Sequence, residues 1–142
     1  MSYTTPFDSA WDPLLQAAWQ AWERAYAPYS HFHVGAALLC RDGSLHVGCN
    51  VENASYGGTI CAERTAICAA AAQGMRPNDL VALVVVTEAP TLTPPCGLCR
   101  QVIAEFAEEL PILLSNRSGR SLHSIASLLP HAFTGRNLLN TD

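Results

Sequence analysis

Three thiols and a carboxylate, divided between two short segments, constrain this 142-residue chain more than any other feature. The first segment is Cys61, Ala62, Glu63 and Arg64. The second is Pro95, Cys96, Gly97, Leu98, Cys99 and Arg100. Zinc takes four tetrahedral ligands from Cys and His, and a catalytic site keeps three from the protein and leaves the fourth position for water. The Cys96-x-x-Cys99 spacing places two sulfurs at a helix start, close enough to share one ion, and Cys61 supplies a third. Glu63 lies two residues after Cys61, so both side chains can aim at one point from the first turn of a helix. Beside three thiolates a Glu is rarely a ligand; it can instead take a proton from water and pass it on. Taken alone, Glu63 reads as an acid favouring the positive end of its helix. The second segment tips the balance to a proton carrier.

Three thiolates raise an electrostatic difficulty. Zinc lowers the pKa of water from 15.7 to about 7 when its ligands are neutral, and added negative charge opposes that. Two offsets are visible: the partial positive charge of both helix N-termini, and arginines able to donate to thiolates, Arg64 first and Arg100 second. Arg64 in an Ala-rich helix has little other explanation, a surface ion pair being the alternative. The remaining cysteines, Cys40, Cys49 and Cys68, read as small buried residues. Cys40 and Cys49 lie on neighbouring strands, which leaves a fourth thiol ligand open. His31 and His33 could mimic a metal pair but read as exposed residues at a strand start.

The scaffold follows from periodicity and turn signals. Asp12 as N-cap with Pro13 behind it opens a helix whose apolar face is Leu15, Trp19, Trp22 and Tyr26. Residues 32–40 and 45–51 form a hairpin around Asp42-Gly43, and Gly35, Ala36 and Ala37 leave room for close packing on the first of those strands. A nearly all-Ala helix runs over 62–73, with Gly74 closing it. Residues 80–87 are a continuous apolar run, the pattern of a strand covered on both faces. A helix over 97–109 follows, with Val102, Ile103 and Phe106 inward. Strands at 111–115 and 121–123 and a short helix capped by Ser124 complete the order α-β-β-α-β-α-β-β-α. That order predicts an α/β fold, a three-layer α-β-α sandwich with a mixed sheet of five strands in one domain over residues 1–142. Roughly the first ten residues are expected to be loosely ordered.

Composition narrows the partners. The hydrophobic share of 49% supports a real core, and only 14% of residues are charged, against about a quarter in typical domains. Self-association would explain so little surface charge. The net charge of −4 and eight scattered arginines lack the basic stripe of a nucleic-acid binder. No apolar run approaches a membrane span, and the N-terminus lacks a secretory pattern. A cytoplasmic protein with reduced cysteines is the expectation, and closely spaced cysteines then point to metal.

The motifs Cys-Ala-Glu-Arg-Thr-Ala at 61–66 and Pro-Cys-Gly-x-Cys-Arg-Gln at 95–101 resemble those of zinc-dependent cytidine deaminases, with similarity running from Tyr26 to Phe133. The three cysteine ligands place the resemblance in the short, homotetrameric branch. It implies hydrolysis of cytidine and 2′-deoxycytidine to uridine and 2′-deoxyuridine with release of ammonia, in pyrimidine salvage, with one zinc per subunit. Water attacks C4, and Glu63 carries protons to N3 and then to the leaving amine. The same resemblance implies that Asn50 and Glu52 bind the ribose 3′-hydroxyl, Phe32 packs on the base, and Ala62 supplies backbone contacts to it. Tyr56 and Phe133 would reach a neighbouring subunit's pocket. Gln101 matches in identity and receives no catalytic role. Two departures stand out. Pro94 replaces a family serine before Pro95-Cys96, and Gly57-Gly58 makes the approach to Cys61 more flexible. These bear on substrate range rather than reaction type. The alternatives are a deaminase of a modified cytosine nucleoside such as blasticidin S, and a non-enzymatic structural zinc module. The latter would close its site with a fourth ligand and leave Glu63 idle.

Overall fold

An uninterrupted apolar run needs cover on both sides, and β3 (Leu80–Thr87) sits in the middle of a five-stranded sheet ordered β2-β1-β3-β4-β5. The structure is a computed structural model that describes residues 2–139. β1 (Val34–Cys40) and β2 (Leu45–Cys49) form the hairpin expected around Asp42-Gly43, with the backbone amide and hydroxyl of Ser44 both donating to Asp42 Oδ1. β1 also pairs antiparallel with β3. β3 pairs parallel with β4 (Pro111–Ser115). Parallel neighbours need a crossover, here α3 (Gly97–Phe106), which carries the second cysteine motif. β5 (Arg120–Ser124) returns antiparallel to β4. The sheet is therefore mixed, as the element order predicts.

Side chains on each strand alternate between two helical layers. Ala37 of β1, Val84 and Val86 of β3 and Leu113 of β4 face α1 (Asp12–Trp22) through Leu14, Leu15 and Ala18. Ala36, Leu38, Leu83, Val85 and Ile112 face the opposite layer, where α2 (Ala62–Ala72) contributes Ala66, Ile67 and Ala70. Ile103 of α3 and Ile125 of α4 (Ile125–Leu128) extend that second core. The three-layer α-β-α arrangement follows.

Two glycines set the distance between layers. A Cβ on Gly35 would stand 2.1 Å from the Ala18 carbonyl oxygen, and one on Gly48 would stand 2.4 Å from both the Ala62 carbonyl oxygen and the Ala66 amide nitrogen. The helices α1 and α2 thus rest directly on backbone. Thr65 uses the resulting proximity: its hydroxyl donates to the carbonyls of Cys49 (2.9 Å) and Ala62 (2.8 Å). The N-terminal turn of α2 is held on the end of β2, and with it the first metal-ligand candidate.

Several local expectations differ from the fold. Asp12 is the first residue of α1 rather than its cap, because a 3-10 turn at Ser9–Trp11 precedes it, capped by Asp8 through Ala10. The buried stripe of α1 is Leu14, Leu15, Ala18 and Ala21; Trp19 and Trp22 flank it and Tyr26 is exposed. Gly35 lets the helix backbone at Ala18 and Trp22 lie directly on β1, which turns the Leu14, Leu15, Ala18 and Ala21 face to the sheet. α3 ends at Phe106, short of Glu109. A further helix, α5 (Gly135–Leu139), lies in the tail, where a one-turn amphipathic signal is too short to stand out.

Gly48→Ala should lower unfolding free energy by about 1–3 kcal/mol, since an added methyl meets backbone that cannot yield without moving α2. Denaturant unfolding beside Gly57→Ala, whose position has open space around it, checks this. Equal stability of the two variants would count against close approach as the reason for the glycine.

Candidate metal centre and active site

Neither α2 nor α3 has a side-chain hydrogen-bond cap at its N-terminus. Cys61 holds the N-cap position of α2 with extended backbone (φ −73°, ψ 157°), and Cys96 does the same for α3 (φ −67°, ψ 171°). Cys99 is the third residue of α3 and is buried. The first-turn amides of an α-helix find no acceptor within the helix, so two positive helix ends lie beside the sulfurs.

The three sulfurs converge. Cys61 Sγ lies 3.7 Å from Cys96 Sγ, Cys96 Sγ lies 3.6 Å from Cys99 Sγ, and all three fall within 4.8 Å of one another. Sulfurs bound tetrahedrally at ~2.3 Å from zinc stand ~3.8 Å apart. A disulfide would need ~2.05 Å, and all six cysteines are free thiols. The donor set fits a zinc ion with three protein ligands and one open position. Cys49 does not join it: its Sγ points to the Arg24 carbonyl at 3.6 Å. Of the three cysteines expected to be buried, Cys40 is, Cys49 is half-buried and Cys68 is exposed on α2.

Charge around the cluster is organised by Arg64, whose Nη2 donates to Cys61 Sγ at 3.4 Å. Its Nε is buried and has no hydrogen-bond partner among the described residues. The Cys61 thiol is pushed down to about 5, by the hydrogen bond from Cys99 first and by Arg64 next, while the Cys99 thiol is pushed up by the same pairing. The pairing and Arg64 therefore favour the ionised form of Cys61, and a bound metal would require Cys99 to give up its proton. Arg100, the second candidate for charge compensation, is placed elsewhere. Its Nε donates to the Pro95 carbonyl at 2.7 Å and its Nη1 to the Leu128 carbonyl at 2.8 Å. It braces the loop ahead of Cys96 because its position on the first turn of α3 points it back toward that loop and the end of α4.

Glu63 is 4% exposed, on the first turn of α2. Burial pushes its carboxyl up to about 7, the Cys61 thiolate adds to the rise, and a backbone hydrogen bond and Arg64 oppose it. Ala62 beside it is fully buried.

Of the other residues singled out in the sequence, Asn50, Glu52 and Tyr56 lie on the segment that leads to Cys61, and a hydrogen bond from Asn50 ties Phe32 to it. Val51 pairs with Ile60 through two backbone hydrogen bonds of 2.9 and 3.0 Å, which brings residues 50–52 alongside the approach to Cys61. Asn50, 8% exposed, accepts from the Val34 amide at 2.8 Å and donates to the Phe32 carbonyl at 2.7 Å, fixing the backbone on which Phe32 stands. Glu52 accepts from the Ser30 hydroxyl and from the amides of Tyr29 and Ser30, which holds its carboxyl below the usual carboxylate range. Tyr56 stands over Tyr29 edge to face, with centroids 6.2 Å apart, and these residues line a cavity of about 290 Å3 with Glu52 and Thr59. Phe32 is half-exposed and lines a neighbouring cavity of about 350 Å3 with Trp22 and His33. Phe133 stands apart from this group on the tail, tied to α3 by Gln101, whose Nε2 donates to the Phe133 carbonyl at 2.7 Å. Sequence reading missed Ser30, Thr65 and Gly48. A glycine inside a strand pattern signals a close backbone approach and could have exposed the last of these.

Removing the guanidinium in Arg64→Ala should weaken zinc binding about tenfold or more, the effect of losing a charge-assisted hydrogen bond to an ionised sulfur. Competition with a chromogenic chelator reads this; unchanged affinity would remove Arg64 as the compensating charge.

A family model described as the cytidine and deoxycytidylate deaminase zinc-binding region matches residues 10–113. The cytidine deaminase of Halalkalibacterium halodurans is 49% identical over 127 residues, covering 88% of this chain and 95% of that protein. That of Mycobacterium tuberculosis is 45% identical over 127 residues, covering 89% and 91%. The crystal structure of cytidine deaminase from Burkholderia pseudomallei matches the fold with a TM-score of 0.83 at 50% identity, over 86% of this chain and 98% of that one. With three thiols converging at two helix starts beside a buried glutamate, and with these matches over most of its length, the chain belongs to the cytidine deaminase family.

Proposed function

We propose that this chain hydrolyses cytidine and 2′-deoxycytidine to uridine and 2′-deoxyuridine, releasing ammonia. The observation that carries this reading is a buried Glu63 on the same helical turn as a three-sulfur cluster that leaves a fourth metal position open. Bound zinc supplies a Lewis acid that makes water acidic enough to act as a nucleophile near neutral pH. Cys61, Cys96 and Cys99 hold the metal, and Arg64 with the two helix ends offsets their negative charge. Glu63 takes the proton that the water releases as its oxygen adds to C4. It passes that proton to N3 and then moves the proton of the new C4 hydroxyl to the amine, so the C4–N bond breaks, the C4 carbonyl forms and ammonia leaves. Its burial keeps bulk water from competing for the proton.

Substrate recognition rests on the wall beside the centre. Asn50 uses one Nδ2 hydrogen in holding Phe32 and retains a second, and carboxylate oxygens can each accept more than one hydrogen bond. Asn50 and Glu52 therefore serve the ribose 3′-hydroxyl while bracing the backbone around Phe32 and Ser30. Phe32 packs on the base and Ala62 meets it through backbone. Tyr56 and Phe133, 77% and 57% exposed, extend to the pocket of a neighbouring subunit in a homotetramer. The low charged share of 14% and the exposed Leu98, Val47 and Leu138 support association. Among the described residues no helix is long and apolar enough to cross a membrane. The proposed setting is cytoplasmic pyrimidine salvage by a single-domain enzyme.

Glu63→Gln should keep one zinc per chain and the unfolding midpoint while kcat for cytidine falls about 10²–10⁴-fold, the span of a lost general acid–base group. Ammonia release from cytidine, deoxycytidine, cytosine, CMP, blasticidin S and adenosine would be measured alongside. Undiminished turnover by a folded, zinc-loaded Glu63→Gln protein would overturn the assignment, and wild-type activity on adenosine alone would overturn the substrate class.

A further inference from the structure

The tail that carries Phe133 has no packing of its own. Residues 131–139 include no buried side chain, and beneath them, between α3 and α4, is a cavity of about 210 Å3 lined by Ala104, Ala107, Ile125 and Leu129 among others. A segment that buries nothing is placed by its hydrogen bonds. Those come from α3, the helix that brings Cys99 to the metal cluster. Arg100, one residue after Cys99, donates to the Leu128 carbonyl at the end of α4 while its Nε holds the Pro95 carbonyl just before Cys96. Gln101 donates to the Phe133 carbonyl. Beyond α3, Glu108 accepts from Arg136 of α5. Two of these tethers leave from the residues directly after a metal ligand, and the one from Gln101 ends on the residue whose ring is proposed to wall a nucleoside pocket.

We infer that Arg100 and Gln101 are positioning residues that moor the segment 128–133 to the metal-bearing helix and so set where the Phe133 ring lies. This rests on the assignment of Phe133 to a substrate pocket. Arg100 fixes the start of the segment from a half-buried position, and Gln101 fixes the residue that matters. The two act on substrate affinity through Phe133, without touching substrate.

The test is a double-mutant cycle in the zinc-loaded enzyme with Gln101→Glu, which keeps the shape but loses the donor, and Phe133→Ala. Zinc content and unfolding midpoint confirm that each variant is folded; Gln101 is exposed, and Gln101→Ala serves as a second variant lacking the donor. KM for cytidine should rise about threefold in Gln101→Glu, the effect of one exposed neutral hydrogen bond, with kcat unaltered. In the Phe133→Ala background the same change should leave KM unaltered, because no ring remains to be placed. A purely structural role for Gln101 would instead lower the unfolding midpoint and shift KM equally in both backgrounds, which overturns the inference. If Phe133→Ala raises KM and Gln101→Glu does not, the mooring falls alone. If Phe133→Ala leaves KM unaltered, the pocket assignment falls and takes the mooring with it.

Discussion

Three sulfurs that would repel one another as thiolates are held within 4.8 Å, and the rest of the molecule is arranged around that proximity. Each sulfur stands at or one turn inside a helix N-terminus, where the orphan amides of the first turn supply partial positive charge. Arg64 adds a full charge on Cys61. A metal ion completes the balance. The absence of ordinary side-chain caps on both helices is the structural trace of this arrangement, since the position that Ser, Asp or Asn usually takes is given to a cysteine.

Bringing two helix ends together depends on how closely each rests on the sheet. Gly48 lets α2 lie against β2, and Thr65 locks the contact by donating to carbonyls of both elements. α3 is placed by the parallel pairing of β3 and β4, which forces the chain to cross over the sheet between them. Arg100 then ties the loop before Cys96 to the end of α4. Structural roles and site roles therefore overlap in the same few residues. Asn50 and Glu52 show the same economy: each braces backbone near Phe32 and Ser30 while lying next to the approach to Cys61.

Glu63 illustrates how position sets chemistry. On a helix surface it would be an ordinary acid stabilised by the helix end. At 4% exposure, beside a thiolate, its neutral form is favoured and its carboxyl rises to about 7. Desolvation and one neighbouring charge convert a common residue into a group able to hold and release a proton near neutral pH.

Much of this was legible in residue order. The ligand trio, Glu63, the central apolar strand, the Asp42-Gly43 hairpin and the mixed sheet all follow from spacing, periodicity and turn chemistry, because these act over a few residues and leave a direct imprint. An arginine in an Ala-rich helix also singled out Arg64, and the structure puts its guanidinium on Cys61 Sγ. What only the tertiary structure decided depends on contacts between residues far apart in sequence. Leu14, Leu15, Ala18 and Ala21 form the buried stripe of α1, with Trp19 and Trp22 only flanking it, because Gly35 sets the helix backbone at Ala18 and Trp22 directly on β1. Arg100 turns to Pro95 and Leu128 instead of the sulfurs, and Gln101 reaches Phe133, because α4 and the tail happen to lie over α3. Local pattern determines which groups can take part in the chemistry; the packing of helices against the sheet determines which of them meet.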